Sequence, residues 1–139
     1  MSIQFDGYDG ASGKFVCTRM AAWAGRSSGT NRLPTFSVAI IVSVQTSQIV
    51  SAFRETLRHA ADAFKPDLVL LSAGFDSRAG DPLGRFTLSD ADFTDLTRIM
   101  LEIAGTHASG RLVSVLEGGY NLTGLEAAVS AHLKALAAA

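Results

Sequence analysis

Two short stretches carry residue types that could do chemistry. In the first, Asp76 ends the run Leu68-Val69-Leu70-Leu71-Ser72-Ala73-Gly74-Phe75-Asp76; in the second, Tyr120 follows Leu112-Val113-Ser114-Val115-Leu116-Glu117-Gly118-Gly119. Each opens as a short apolar run, the pattern of a strand covered on both faces, as in a parallel sheet. Each closes on small residues that let the backbone turn sharply. If a helix joins the two strands, the crossover makes them parallel and brings both loops out at one edge of the sheet, where open α/β sheets bind ligands. Asp76 and Tyr120 are then expected at one site, a carboxylate able to hold a metal and a phenol able to donate to a developing oxyanion. Plainer roles exist for both: Asp76 could cap its own loop by accepting backbone N–H groups, and Tyr120 could pack under the sheet edge.

The loops are specific beyond their residue types. The stretch from Lys65 to Arg78, then Gly80-Asp81-Pro82-Leu83-Gly84, then Leu116-Glu117-Gly118-Gly119-Tyr120-Asn121-Leu122, closely resembles the zinc-dependent histone deacetylase superfamily. Its bacterial members include deacetylase-like, acetylpolyamine amidohydrolase and acetoin-utilisation proteins. The motifs stand in the family's order over roughly the last two-thirds of the chain, and the likeness is weaker before Gln48. The resemblance implies an α/β fold, an incomplete three-layer sandwich with a mainly parallel sheet, corresponding to the carboxyl-terminal part of an arginase/deacetylase-like domain. It implies zinc-dependent hydrolysis of acyl-amide bonds on lysine or polyamine nitrogen. Asp76 would be one of three zinc ligands, two carboxylates and one imidazole, and Tyr120 would hydrogen-bond the acyl oxygen. Leu83 would line the rim of a narrow tunnel for the acyl-amine chain. Gly118 and Gly119 would allow close backbone approach to the substrate.

The same resemblance shows what these residues lack. The family's mechanism needs a tandem His-His pair for acid and base work and an Asp-x-His segment for the remaining zinc ligands. The three histidines here, His59, His107 and His132, are neither adjacent to one another nor two residues after an aspartate. One carboxylate cannot hold zinc firmly or fix an activated water beside a base. The chain therefore reads as a deacetylase-like domain without its amino-terminal catalytic half: inactive alone, with zinc not tightly retained. Alternatives are half of a split enzyme completed by another chain, or a non-enzymatic interaction module. A homodimer is also expected, because an unpaired strand edge and an uncovered apolar face favour association.

The elements that must position these loops can be read from periodicity. One domain is expected over residues 1–139, with 1–46 a divergent amino-terminal segment and 47–139 the deacetylase-like part, built from about three strands and three helices. From Met1 to Pro34 no strand or helix period is sustained, although Ser2 to Phe5 is a candidate strand; Phe36 to Val44 is a better one. Ile49, Val50, Phe53, Leu57, Ala60, Ala61 and Phe64 recur at helical spacing and Pro66 stops them, leaving Arg54, Glu55, Arg58, His59 and Asp62 on a solvated face. The crossover helix is expected to start at Ser89 with Asp92 as its capping-box partner, to bury Phe93, Leu96, Ile99, Met100 and Ile103, and to end at Gly105, leaving His107 in the connecting loop. The last helix is expected from Thr123, with Glu126 as the matching acid and Leu125, Val129, Leu133 and Leu136 buried. His132 would be a partly buried packing residue beside them.

Composition narrows the functional classes. A formal net charge of -1 from 12 basic and 13 acidic residues gives no electrostatic case for nucleic acid or an anionic membrane surface. The single cysteine, Cys17, rules out an internal disulfide. Met1 to Asp6 has neither the basic start nor the apolar run of a leader, and the apolar segment Phe36 to Val44 is far shorter than the roughly 20 residues of a membrane span. A soluble, cytoplasmic protein acting on an acyl-lysine or an acetylated polyamine, directly or once completed by a partner, is the expectation.

Overall fold

A computed structural model describes residues 2–9, 14–23, 35–37, 41–42, 46–84 and 86–139, with side chains described from residue 49 onward except residue 85. Among these, six strands and three helices follow in the order β1 (Ser2–Asp9), β2 (Lys14–Trp23), β3 (Thr35–Ser37), β4 (Ile41–Val42), α1 (Thr46–Phe64), β5 (Val69–Gly74), α2 (Asp90–His107), β6 (Leu112–Glu117) and α3 (Leu122–Ala137). The strands form one mixed sheet in the order β3-β2-β1-β5-β6, with β4 also pairing β2.

The parallel part of the sheet is where the sequence pattern placed it. β5 and β6 pair in parallel over six residue pairs from Val69 with Leu112 to Gly74 with Glu117, and α2 is the crossover between them. β1 joins β5 in parallel through Ser2 and Ser72, and its other edge runs antiparallel to β2. The strand count exceeds the expected three because β1 and β2 form a hairpin inside the stretch without a sustained period. Their register shifts twice, between Gln4 and Phe5 and between Phe5 and Gly7. The strand expected over Phe36 to Val44 is represented by β3 and β4; residues 38–40 and 43–44 lie outside the described residues.

Burial on β5 corrects a second expectation. Val69, Leu71 and Ala73 are buried, whereas the alternate residues of the strand are only half-buried. One face of β5 packs into a cluster holding Phe53, Leu57 and Ala61 of α1, Phe93, Ile99, Met100, Ile103 and Ala104 of α2, and Ala128 of α3. On β6, Val113 and Val115 share the other face with Leu70 and Ser72 by register, and they are 48% and 55% exposed. The described residues therefore build one helical layer on one sheet, and the outer face of β6 stays open.

The helix boundaries follow their caps. Ser89 and Asp92 form the expected capping box at α2, with the Asp92 carboxylate accepting from the Ser89 backbone N–H at 2.7 Å and the Ser89 hydroxyl accepting from Asp92 N–H. At the other end the helix runs through Gly105 to His107, which is therefore its last residue and not part of a loop. The left-handed turn is made by Ser109 and Gly110, with Gly110 N–H returned to the Ala104 carbonyl at 2.9 Å. α3 is capped by Asn121, whose side chain accepts from Gly124 N–H, and not by Thr123. Its buried face is Gly124, Ala128, His132 and Ala135, while Leu133 is exposed and Leu125 and Val129 are partly buried. Small residues turn inward because α3 lies close against α2, and closeness of backbones favours them over leucine.

Met100 is almost wholly buried in this single core. Met100→Ala should lower unfolding free energy by about 2–5 kcal/mol, read from the denaturant midpoint at unchanged slope.

Candidate functional site

The site grows from the alternation of one strand end. Phe75, the residue after β5, points into the core, where its ring meets Phe93 with centroids 5.2 Å apart and the His132 ring edge-on at 5.8 Å. With Phe75 anchored, Asp76 emerges at the carboxyl edge of the sheet. A turn closes at once, from Arg78 N–H to the Phe75 carbonyl at 3.1 Å, and a bridge to Leu88 holds the returning chain. Arg78 then grips Asp90 at the start of α2 with two parallel bonds, Nε to Oδ1 at 2.7 Å and Nη2 to Oδ2 at 3.1 Å. This fork holds the Asp90 carboxyl below its ordinary range and ties the loop to the helix.

The second loop closes over the first. Gly118 has φ +60, and a Cβ there would sit 3.3 Å from both Cγ and Oδ2 of Asp76. Gly118 thus lies against the carboxylate itself. Gly119, with φ +111, turns its bare side to Leu125 and Phe75, where a Cβ would come within 2.6 Å and 3.2 Å. A side chain at Gly118 would therefore meet Asp76, and one at Gly119 would meet α3 and Phe75.

Asp76 and Asp81 occupy opposite electrostatic environments. Burial pushes the Asp76 carboxyl above its ordinary value of 3.8; the Asp81 charge adds to the rise, and backbone N–H groups of Asp76 and Ser77 oppose it without reversing it. Burial also raises Asp81, but backbone N–H groups of Tyr120, Gly84, Leu83 and Asn121 outweigh it and hold that carboxyl below the ordinary range. Asp81 Oδ1 accepts from Leu83 N–H and Gly84 N–H, both at 2.9 Å, and Oδ2 accepts from Tyr120 N–H at 2.7 Å. Asn121 adds a bond from Nδ2 to the Gly80 carbonyl at 2.9 Å. The fold therefore brings Asp76 and Gly118 into contact, and joins the backbones of Leu83 and Tyr120 through one carboxylate. The side chains of Leu83 and Tyr120 are open to solvent, 67% and 54% exposed. The bond from Tyr120 N–H to Asp81 spans 39 positions and leaves no local signal in the sequence.

Two of the three histidines are committed to bonds elsewhere. His59 is exposed on α1. His107 Nε2 lies 3.0 Å from Asp62 Oδ1, joining the end of α2 to α1. His132, only 6% exposed, bonds through both ring nitrogens: Nδ1 to Thr97 Oγ1 at 2.7 Å and Nε2 to Ser114 Oγ at 2.9 Å. Thr97 gives its one hydroxyl proton to the Phe93 carbonyl, so it must accept from His132 Nδ1–H. Burial lowers the His132 pKa, which leaves Nε2 to accept from Ser114. It is thus a buried polar link among α2, α3 and β6, more specific than the packing role expected. Glu117 likewise accepts from Ser72 Oγ across the strands at 3.0 Å. Among the described residues no group of three or more His, Cys, Asp or Glu could hold a metal ion. These side chains alone do not fit a resident zinc.

With this geometry the comparisons with known proteins agree. The histone deacetylase domain family matches residues 15–136, and the chain belongs to that family. It is 38% identical over 87 residues to Histone deacetylase 15 of Arabidopsis thaliana, covering 63% of this chain and 15% of that protein. It is 40% identical over 95 residues to Polyamine deacetylase HDAC10 of Homo sapiens, covering 68% of this chain and 14% of that protein. The solved HDA15 HD domain superposes with a TM-score of 0.60 at 34% identity, over 68% of this chain and 26% of that one. The chain thus spans a small fraction of the length of the relatives it matches, and its half-sheet is that of the deacetylase fold. No helix among the described residues is long and apolar enough to cross a membrane.

A carboxyl whose pKa is raised in the fold contributes stability that is present below its unfolded value and lost as pH rises through the folded one. Asp76→Asn should therefore raise the thermal midpoint at pH 7, and its advantage should shrink as pH falls toward 3.8. Thermal unfolding of both proteins across this range checks the sign.

Proposed function

We propose that these residues form one side of a zinc-dependent deacetylase active site acting on acyl groups carried by lysine or polyamine nitrogen. The observation that carries the reading is the shared sheet edge: a half-buried, incompletely compensated carboxylate, Asp76, lies against Gly118 in the loop that presents Tyr120. Asp76 would supply one ligand to a metal. Zinc held there with further ligands would supply Lewis-acid chemistry at the acyl carbonyl. Tyr120 would donate its phenol hydrogen to the acyl oxygen, Leu83 would line the apolar path of the amine chain, and the backbones of Gly118 and Gly119 would allow the substrate to approach.

These 139 residues are inactive on their own in this reading, because no adjacent histidine pair and no Asp-x-His segment occur in them and His59, His107 and His132 are placed away from the task. A complementing chain, or a second copy associated through the open face of β6, would be the partner, acting in the cytoplasm. The exposure of Val113 and Val115 supports an apolar partner surface.

Calorimetric zinc titration of metal-stripped protein, with acetyl-lysine turnover measured on the same samples and on Asp76→Ala, tests this. No turnover and no tight stoichiometric zinc are expected. Tight zinc that disappears in Asp76→Ala, accompanied by turnover, would show that the 139 residues complete the site themselves.

A further inference from the structure

We propose that Asp81 is the positioning residue of this site, its carboxylate fixing the loop that carries Leu83 against the loop that carries Tyr120. The inference rests on the reading of Leu83 and Tyr120 as substrate-facing residues, and it assigns their placement to a group that touches neither substrate nor metal.

Division of labour between the two oxygens supports this. Oδ1 takes the Leu83 and Gly84 N–H groups, both in its own turn. Oδ2 takes Tyr120 N–H, from the loop after β6, and the neighbouring Asn121 N–H of that loop adds to the hold on the carboxylate. Pro82, which has no N–H, stands between the carboxylate and its first acceptor bond, so the turn folds back on Asp81 without a competing donor. An amide could not substitute. Asparagine has one carbonyl oxygen, and whichever side it served, its NH2 would face an N–H donor on the other. With the Oδ1 bonds kept, the Tyr120 bond would be lost. The flanking bond from Asn121 Nδ2 to the Gly80 carbonyl joins the same two loops but reaches neither Leu83 nor Tyr120, so it cannot set their relative position. Arg78 and Asp90 hold the first loop to α2 and make no bond to the second.

The test is nuclear magnetic resonance on the full chain, without metal or substrate. In the unmodified protein a scalar coupling across the hydrogen bond should connect the Tyr120 amide nitrogen to the Asp81 carboxyl carbon. In Asp81→Asn the Tyr120 amide should exchange with solvent about tenfold faster or more, the loss of a bond to a charged acceptor, while the Ile99 and Ala104 amides in α2 keep their protection. A purely structural aspartate would instead change protection throughout the core. Absence of the coupling in the unmodified protein, or unchanged Tyr120 exchange in a folded Asp81→Asn, would overturn the proposal. Should Asp81→Asn fail to fold, the coupling in the unmodified protein decides alone. Neither readout depends on zinc or turnover, so a failed deacetylase reading leaves this result distinct.

Discussion

Six residue pairs, from Val69 with Leu112 to Gly74 with Glu117, hold β5 and β6 in parallel register. Because the strands run the same way, both of the loops that follow leave at one edge, and every contact of the candidate site descends from that fact. A slip of one residue would turn Phe75 outward and Asp76 into the core, exchanging a buried ring for a buried charge. The core makes that slip costly: Phe75 is wedged between Phe93 and His132, and His132 is bonded on both sides to Thr97 and Ser114. The apolar cluster beneath the sheet thus sets which carboxylate reaches the edge.

At that edge the chain treats two aspartates differently. Asp81 is saturated with backbone N–H groups and works as a fastener. Asp76, a few residues before it, is half-buried, pressed by Gly118 and left with fewer donors than its burial requires. Paired acids pushed in opposite directions by their surroundings are a common mark of a site in which one is reserved for chemistry. Family membership and this asymmetry point the same way. Neither supplies further imidazoles at this edge: His107 and His132 link other elements, and His59 is exposed on α1.

Much of this was legible in the residues alone, for identifiable reasons. The β5-α2-β6 unit announced itself because its strands are short apolar runs and its helix carries a strong capping box at Ser89. That the loops carrying Asp76 and Tyr120 leave at one edge of the sheet was legible from the same unit. β1 was legible in part, through Ser2 to Phe5, whereas β2 lies in a stretch with no sustained period. The buried face of α3 was misread because leucines draw attention, whereas close helix packing selects Gly124 and Ala128. Two features needed non-local information: the bond of Asp81 to Tyr120 joins distant loops, and the half-exposed face of β5 depends on which elements cover it. Hydrophobicity alone shows that a strand can be buried, not that something buries it.

The most direct test of the asymmetric edge is a carbon-detected titration of the Asp76 and Asp81 side-chain carboxyls in the free protein. The structure requires the Asp76 midpoint to lie above 3.8 and the Asp81 midpoint below it. An Asp76 midpoint at or below 3.8 would contradict the asymmetry between the two carboxyls on which this account of the edge rests.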